Sequence, residues 1–298
     1  SLTGQLTGSY KSLSQLLTAE LYASIYNADT WTYNNRKLPL SQLPANPMEW
    51  SGDQFVQKIT SLVADATSDL PSLAKLDISE LEPILTGRVS KYKDDFPNAA
   101  LFVAAEGADL LEEVSPAAAK VIPFGGTDIN KTVGGRAYEL RKSILSRAID
   151  IARTCGNDYT AAYFIGRYGS TFPADPQAYL MKEYEAMKSS PASLYLLMQL
   201  ADFRMNEEET RADFYRLCTE ALKRFPADAR FAPNVTNYIN TIAHPSMTYS
   251  TKLQWMTSDT VRINVTMKNT TEGYLLLYRL RNGIGDDGNP MKVSKIMS

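Results

Sequence analysis

FYRLCTEALKRF, residues 214–225, and TVRINVTMK, residues 260–268, carry two different hydrophobic periods, and the change from one to the other decides the fold. In the first, Phe214, Leu217, Cys218, Ala221, Leu222 and Phe225 recur at helical spacing and make one apolar stripe. Pro226 ends that helix, since proline has no N–H to continue it and clashes with the preceding turn. In the second, Val261, Ile263, Val265 and Met267 alternate with Arg262, Asn264, Thr266 and Lys268, the pattern of a half-buried strand. Turn residues fill 268–273, and Tyr274, Leu276, Tyr278 and Leu280 alternate again on an expected antiparallel partner. Strands are therefore expected over 247–256, 260–268 and 274–281, with a fourth over 292–297. A helical region hands over to a β region near Pro245.

Upstream, Tyr10, Leu13, Leu16, Leu17, Leu21 and Ile25 predict a helix over 9–27 with Ser9 as its N-cap. Trp31, Tyr33 and Arg36 read as an aromatic, polar loop, and Pro39, Pro44 and Pro47 delay regular helix until Trp50. Ser51 and Gln54 have capping-box spacing, and the helix behind them turns Phe55, Ile59, Leu62, Val63 and Ala66 inward. Residues 70–85 read as helix broken at Pro71 and Pro83. Pro97 suits the first turn of the next helix, which carries Ala100, Val103, Ala104, Ala108 and Leu111 and ends at Ser115 and Pro116. A glycine-containing connector over 123–135 precedes a helix over 137–154 striped by Leu140, Ile144, Ala148 and Ile151. Further helices are expected over 159–167, 177–188, 192–205 and 208–225. The fold class that follows is mainly α: an irregular helical-hairpin, tetratricopeptide-like array over 1–244, then a short antiparallel β segment over 245–298 that begins a β-sandwich. Phe172-Pro173-Ala174-Asp175 returns as Phe225-Pro226-Ala227-Asp228, an interval longer than the ~34 residues of a tetratricopeptide unit, so the array is not a strict repeat.

The chain has 298 residues, 44% hydrophobic and 21% charged, the composition of an ordinary folded protein. Its net charge of −2 and lack of a basic block argue against nucleic acid as a partner. It holds no apolar run long enough for a transmembrane segment and no signal-peptide pattern, and it begins with Ser1, so it reads as a mature or excised segment. Cys155 and Cys218 both fall on expected helices, where a small buried hydrophobe is the commoner role and a disulfide between them the alternative. His244 is the single histidine and reads as a junction residue. With no His-Glu-x-x-His and no Cys-x-x-Cys, neither a zinc site nor a Cys/His nucleophile pair assembles in its usual form. Gly156 reads as a left-handed helix cap. Gly283, Gly285 and Gly288 spell a dinucleotide fingerprint, but Asn289 and Pro290 stand where its helix should open, so the stretch reads as a loop. Gly125, Gly126, Gly134 and Gly135 lack the Gly-Lys-Ser/Thr ending of a P-loop. Glu112, Glu113, Glu207, Glu208 and Glu209 read as solvated helix faces. Catalytic, cofactor-binding and metal-ligating residues are accordingly assigned to none, and no cofactor is expected.

The order of several stretches resembles the N-terminal region of the large alpha-2-macroglobulin-like proteins of Bacteroidota. These are Trp31-Thr32-Tyr33-Asn34-Asn35-Arg36, Glu49-Trp50-Ser51, Asp94-Asp95-Phe96-Pro97 before an Ala-rich helix, and a helix near 230–242 running into the strand wording of 260–266 and 274–280. The resemblance implies a helical region ahead of β-sandwich macroglobulin domains, in a periplasmic or outer-membrane-associated protein that traps or inhibits proteases; a cytoplasmic location is the alternative. No functional residue carries over, because the thioester wording Cys-Gly-Glu-Gln is absent and Cys155-Gly156-Asn157-Asp158 departs from it. The expected role is a non-enzymatic scaffold or docking module whose partner is a protein or further domains of the same chain. A tetratricopeptide-like peptide-binding module, with a groove lined by Tyr and Asn, is the second reading. A helical-barrel hydrolase with paired carboxylates in a deep pocket is the third.

Overall fold

Most helices of the first unit open behind a side-chain cap written in the local sequence, but the first begins after Thr7, not behind Ser9, and has no side-chain cap. The computed structural model describes residues 6–82, 85, 95–115, 132–205, 208–228, 230–250, 263–270, 277–284 and 290–297. The chain divides into two compact units, Ser1–Tyr238 and Ile239–Ser298.

In the first unit, α1 (Gly8–Ala28) and α2 (Thr30–Asn35) precede α3 (Gly52–Ala66). The capping box of α3 is complete, with the Gln54 N–H donating to Ser51 Oγ and the Ser51 N–H donating to Gln54 Oε1. A short α4 (Leu70–Leu73) leads toward α5 (Ala99–Val114), which is capped by Asn98. α5 is buried on nearly every side because α1, α3, α4 and the following α6 (Val133–Thr154) all pack on it. Its Ala-rich face admits them closely: a Cβ added at Gly107 would meet Val63 Cγ1 at 3.0 Å. α6 ends at Cys155 and at Gly156, whose φ of +67° is the left-handed conformation that closes a helix. Asn157 immediately caps α7 (Asp158–Gly169), so the two helices form a tight hairpin. Next come α8 (Pro176–Ala186), α9 (Ser193–Arg204), α10 (Glu208–Arg224) and the start of α11 (Ala232–Ala243). Each Phe-Pro-Ala-Asp stretch ends in a carboxylate that accepts from the N–H three residues on: Asp175 from Ala178, capping α8, and Asp228 from Phe231 in the turn before α11, both at 2.9 Å.

In the second unit, β1 (Ser246–Ser250) pairs antiparallel with β2 (Asn264–Lys268), and β3 (Leu277–Ile284) with β4 (Pro290–Met297). The expected pairing of the second strand with the third is thus replaced by pairing of β2 with β1. Just after β2, Asn269 takes the left-handed conformation at φ +54°, and its amide donates to the carbonyls of Ile242 and His244. Lys268 donates to the Thr241 carbonyl, so the end of β2 caps the end of α11 and lies beside the strand leaving it. The fourth strand is a full partner of β3, and Gly283, expected in a loop, lies in β3. Val261, Tyr274, Leu276, Gly285 and Gly288 lie outside the described residues, as do Gly125, Gly126 and Glu207.

Several stripes sit elsewhere than periodicity alone suggests. On α1 the buried residues are Leu13, Leu16, Ala19, Ala23 and Tyr26, while Tyr10 and Leu21 are exposed; the small Ala19 and Ala23 let α3 and α5 approach. Trp31 to Asn35 is not a loop but helix, because the Asp29 carboxylate accepts from the Thr32 N–H and caps it. α6 starts before the expected 137, with Thr132 accepting from the Gly135 N–H, so Gly134 and Gly135 belong to its first turn. On α10 the buried residues are Phe214, Cys218 and Ala221, whereas Leu217, Leu222 and Phe225 are half-buried along its flanks. Both cysteines are free, but only Cys218 is buried; Cys155 is exposed at the end of α6.

Burial at these positions sets measurable costs. Phe214→Ala costs about 3–5 kcal/mol in a denaturant melt, whereas Leu217→Ala, half-buried, costs about 1 kcal/mol; equal losses would mean the stripe is centred differently. Burial pushes the Cys218 thiol up to about 12, so a thiol reagent at neutral pH labels Cys155 in the folded chain and Cys218 only on unfolding. Fast labelling of both would show α10 detached.

Candidate functional site

The start of α7 is rich in tyrosine, and its first turns define a hollow. Asn157 Oδ1 accepts from the Thr160 N–H at 3.0 Å, leaving the Thr160 hydroxyl to donate to the Asp95 carbonyl at 2.5 Å. That bond brings Asp95 and Phe96 against α7. From the segment before α11, Arg230 forms an ion pair with Asp95 and lays its guanidinium 4.9 Å from the Tyr159 ring centroid. The Tyr159 hydroxyl donates to Asp228 at 2.9 Å, and the same carboxylate holds the Phe231 N–H. The Tyr195 ring from α9 closes the hollow, 5.3 Å from Phe231 and 6.2 Å from Tyr163 between centroids, and Phe96 lies 5.7 Å from Tyr163. A cavity of about 190 Å³ remains between these rings. Gly166 sets the position of its far wall: an added Cβ there would fall 2.7 Å from Tyr195 Cε1.

Behind Tyr163 stands a network of charges. The Tyr163 hydroxyl accepts from Arg167 Nη1 at 2.8 Å, four residues on along the same helix face. Arg167 also bonds Asp109, and its Nη2 reaches Glu112 at 2.7 Å. Glu112 in turn accepts from Arg141 Nη2 at 2.6 Å, so α5, α6 and α7 meet on one carboxylate. Arg141 is only 2% exposed, with its guanidinium 5.5 Å from the Phe172 ring.

Burial sets the direction of most titrations here. It raises the Asp109 carboxyl above its ordinary value, although Arg167 beside it pulls the other way. It lowers Arg141, against the opposing pull of Glu112. On Arg167 burial also works against the charge, but Tyr163 and Asp109 outweigh it and hold the guanidinium above its usual value. Burial, with Tyr163 adding to it, pushes the Tyr195 phenol up to about 12.

A larger hollow of about 440 Å³, lined by residues such as Ser12, Gln15, Asp65 and Asp69, is open and polar. Its polar groups serve local structure, with Asp69 capping α4 and Ser68 donating to the Asp65 carbonyl. The aromatic pocket is the better candidate.

Of the residues weighed in the sequence, His244 is exposed at the junction and Gly156 is the left-handed cap. Glu113 accepts from Asn27 at 2.5 Å. Glu112, read as part of a solvated face and indeed 40% exposed, is also the centre of the ion network, and sequence alone gives no sign of the guanidiniums that meet it. The aromatic stretches near the N-terminus meet one another: Arg36 donates to the Trp50 carbonyl at 3.2 Å, and Tyr33 and Trp50 flank Phe55 at 4.8 and 5.0 Å between centroids. Asp95, Phe96 and Arg230, by contrast, line the pocket. Tyr159 and Tyr163, four apart on a helix, are a legible hint of it. Among the described residues no group of three or more His, Cys, Asp or Glu is placed to hold a metal, and no helix is long and apolar enough to cross a membrane. Comparison with protein-family models, curated proteins and solved structures gives no match.

Glu112→Ala takes the carboxylate from a nearly buried Arg141 and from Arg167; the expected loss is about 2–4 kcal/mol, reduced in the double variant Glu112→Leu/Arg141→Met. A single-variant loss below half a kcal/mol would show the network to be idle. Between pH 10 and about 12 the unfolded chain has released the Tyr195 proton while the folded chain retains it, so stability falls as pH rises through that window. Tyr195→Phe removes this contribution, and urea midpoints of the two proteins should diverge in that window and not below it.

Proposed function

We propose that this chain is a non-enzymatic docking module, the helical part of a macroglobulin-like protease inhibitor of the bacterial cell envelope. The observation that carries the docking role is the aromatic pocket, whose bordering charges are already matched within the chain. Asp95 is paired with Arg230, and Asp109 and Glu112 are fastened to Arg167 and Arg141. A hydrolase of the paired-carboxylate kind needs two acids converging on one open cleft, and among the described residues Asp95 is the single carboxylate lining this pocket. Rings around a small hollow suit an inserted side chain better than a reaction.

Two further observations support placing the module in a macroglobulin-like protein. The quoted stretches are spatially organised, with Trp31–Arg36 and Glu49–Ser51 converging on one aromatic cluster and Asp95-Phe96 facing Arg230. In the second unit, Met247 lies opposite Met267 and Tyr249 opposite Val265, so the four share one face of the β1–β2 sheet, and all are exposed. An apolar face of that kind fits the inner side of a sandwich whose other sheet is supplied by neighbouring β structure. The tyrosine-lined pocket equally favours the tetratricopeptide-like peptide-binding reading, which shares the docking role and differs only in context.

The gene sequence past the codon for Ser298 tests the context: further β-rich domains are expected, and a stop codon there would sink the macroglobulin assignment while leaving docking intact. Turnover assays with peptide and glycoside substrates test the rest. No hydrolysis is expected, and activity abolished by mutating Asp95, Asp109 or Glu112 would overturn the non-enzymatic reading.

A further inference from the structure

Volume and charge together select what the pocket between α7, α9 and the Arg230 segment can hold. An apolar cavity of about 150 Å³ takes up benzene, so the 190 Å³ here matches one six-membered ring. Its walls are the rings of Phe96, Tyr159, Tyr163, Tyr195 and Phe231, which favour edge-on or offset contacts with another ring. No ionic occupant is called for: Arg230 meets Asp95, Arg167 meets Asp109 and Glu112, and Asp228 is bonded by Tyr159 and the Phe231 N–H. An anion would lose its water without gaining a counter-charge, and for a cation the one carboxylate lining the pocket, Asp95, is already shared with Arg230. Two polar groups remain usable. Among the described residues the Tyr195 hydroxyl makes no hydrogen bond, and the Asp95 side chain is 51% exposed, leaving carboxylate capacity for a backbone N–H at the rim.

Resting on the docking reading above, we propose that this pocket receives the ring of a single Phe or Tyr side chain presented by a partner polypeptide, with Asp95 accepting from the partner's backbone. The ring is the anchor, and affinity beyond it comes from whatever surrounds the contact.

Fluorine NMR tests this with the tripeptide acetyl-Gly-(para-fluoro-Phe)-Gly-amide and the whole chain. A saturable shift with a Kd of about 1 mM is expected, as befits one small anchor. Unlabelled Phe and Tyr tripeptides should displace the probe, and Leu, Lys and Glu tripeptides should do so at least tenfold less well. Tyr195→Ala removes a wall and should weaken binding at least tenfold. Gly166→Ala, which acts on the Tyr195 ring from outside the cavity, should weaken it with the fold checked by circular dichroism. The proposal is overturned by no saturable shift up to about 10 mM probe, by Lys or Glu competing as well as Phe, or by unchanged binding in both folded variants. Its failure is separable from that of the docking reading, which the chain's binding to a larger partner and the turnover assays address without the tripeptide.

Discussion

Arg141 sits almost wholly out of water, and a guanidinium in that position is tolerable only where carboxylate and aromatic surface come with it. Glu112 provides the carboxylate and Phe172 the ring face, which ties α6 both to α5 and to the segment after α7. Because Glu112 also holds Arg167, α7 joins the same point. Apolar packing alone would leave these helices free to slide by small amounts, since the Ala-rich surface of α5 is smooth. Charge pairs at fixed distance remove that freedom, and a side chain that reads as solvent-facing becomes the one about which three helices are registered.

The pocket depends on that registration. Arg167 reaches past Asp109 to the Tyr163 hydroxyl, so the ring dividing network from cavity is held from behind. From the other side, the absence of a side chain at Gly166 admits Tyr195 at a distance no Cβ would permit. Asp95, bound through its carbonyl by Thr160 and through its carboxylate by Arg230, brings together parts of the chain far apart in sequence. The result is an apolar hollow framed by polar bonds that are internal to the chain, with its bordering charges paired.

The second unit obeys a different constraint. A two-stranded ribbon has little burial of its own and is marginal unless something covers it. What holds β2 in place is the end of α11, whose last carbonyls are met by Lys268 and Asn269. Within the second unit these last residues of the helix fix the end of β2, while Met247, Tyr249, Val265 and Met267 stay exposed.

Local signals in the sequence determined the elements. The Ser51–Gln54 box, the Gly156 cap, the proline breaks and the switch to alternation past Pro245 depend on neighbours within a few residues, and the helices and strands stand close to where they predict. Even Asp29, which makes Trp31 helical, acts over three residues and is readable in principle. Which apolar residue lies deepest is not readable: Tyr10 and Leu217 satisfy the helical period as well as Leu13 and Phe214 do, and only the neighbour that packs chooses between them. Strand pairing escapes the sequence for the same reason, since alternation fixes a strand's faces and not its partner. The pocket and its network lie furthest from sequence. Asp95, Arg230, Tyr159 and Tyr195, like Glu112, Arg141 and Arg167, meet across long chain separations. A one-dimensional pattern records period and charge but holds no distance between helices, and that distance alone turned scattered tyrosines and a solvated-looking glutamate into a site.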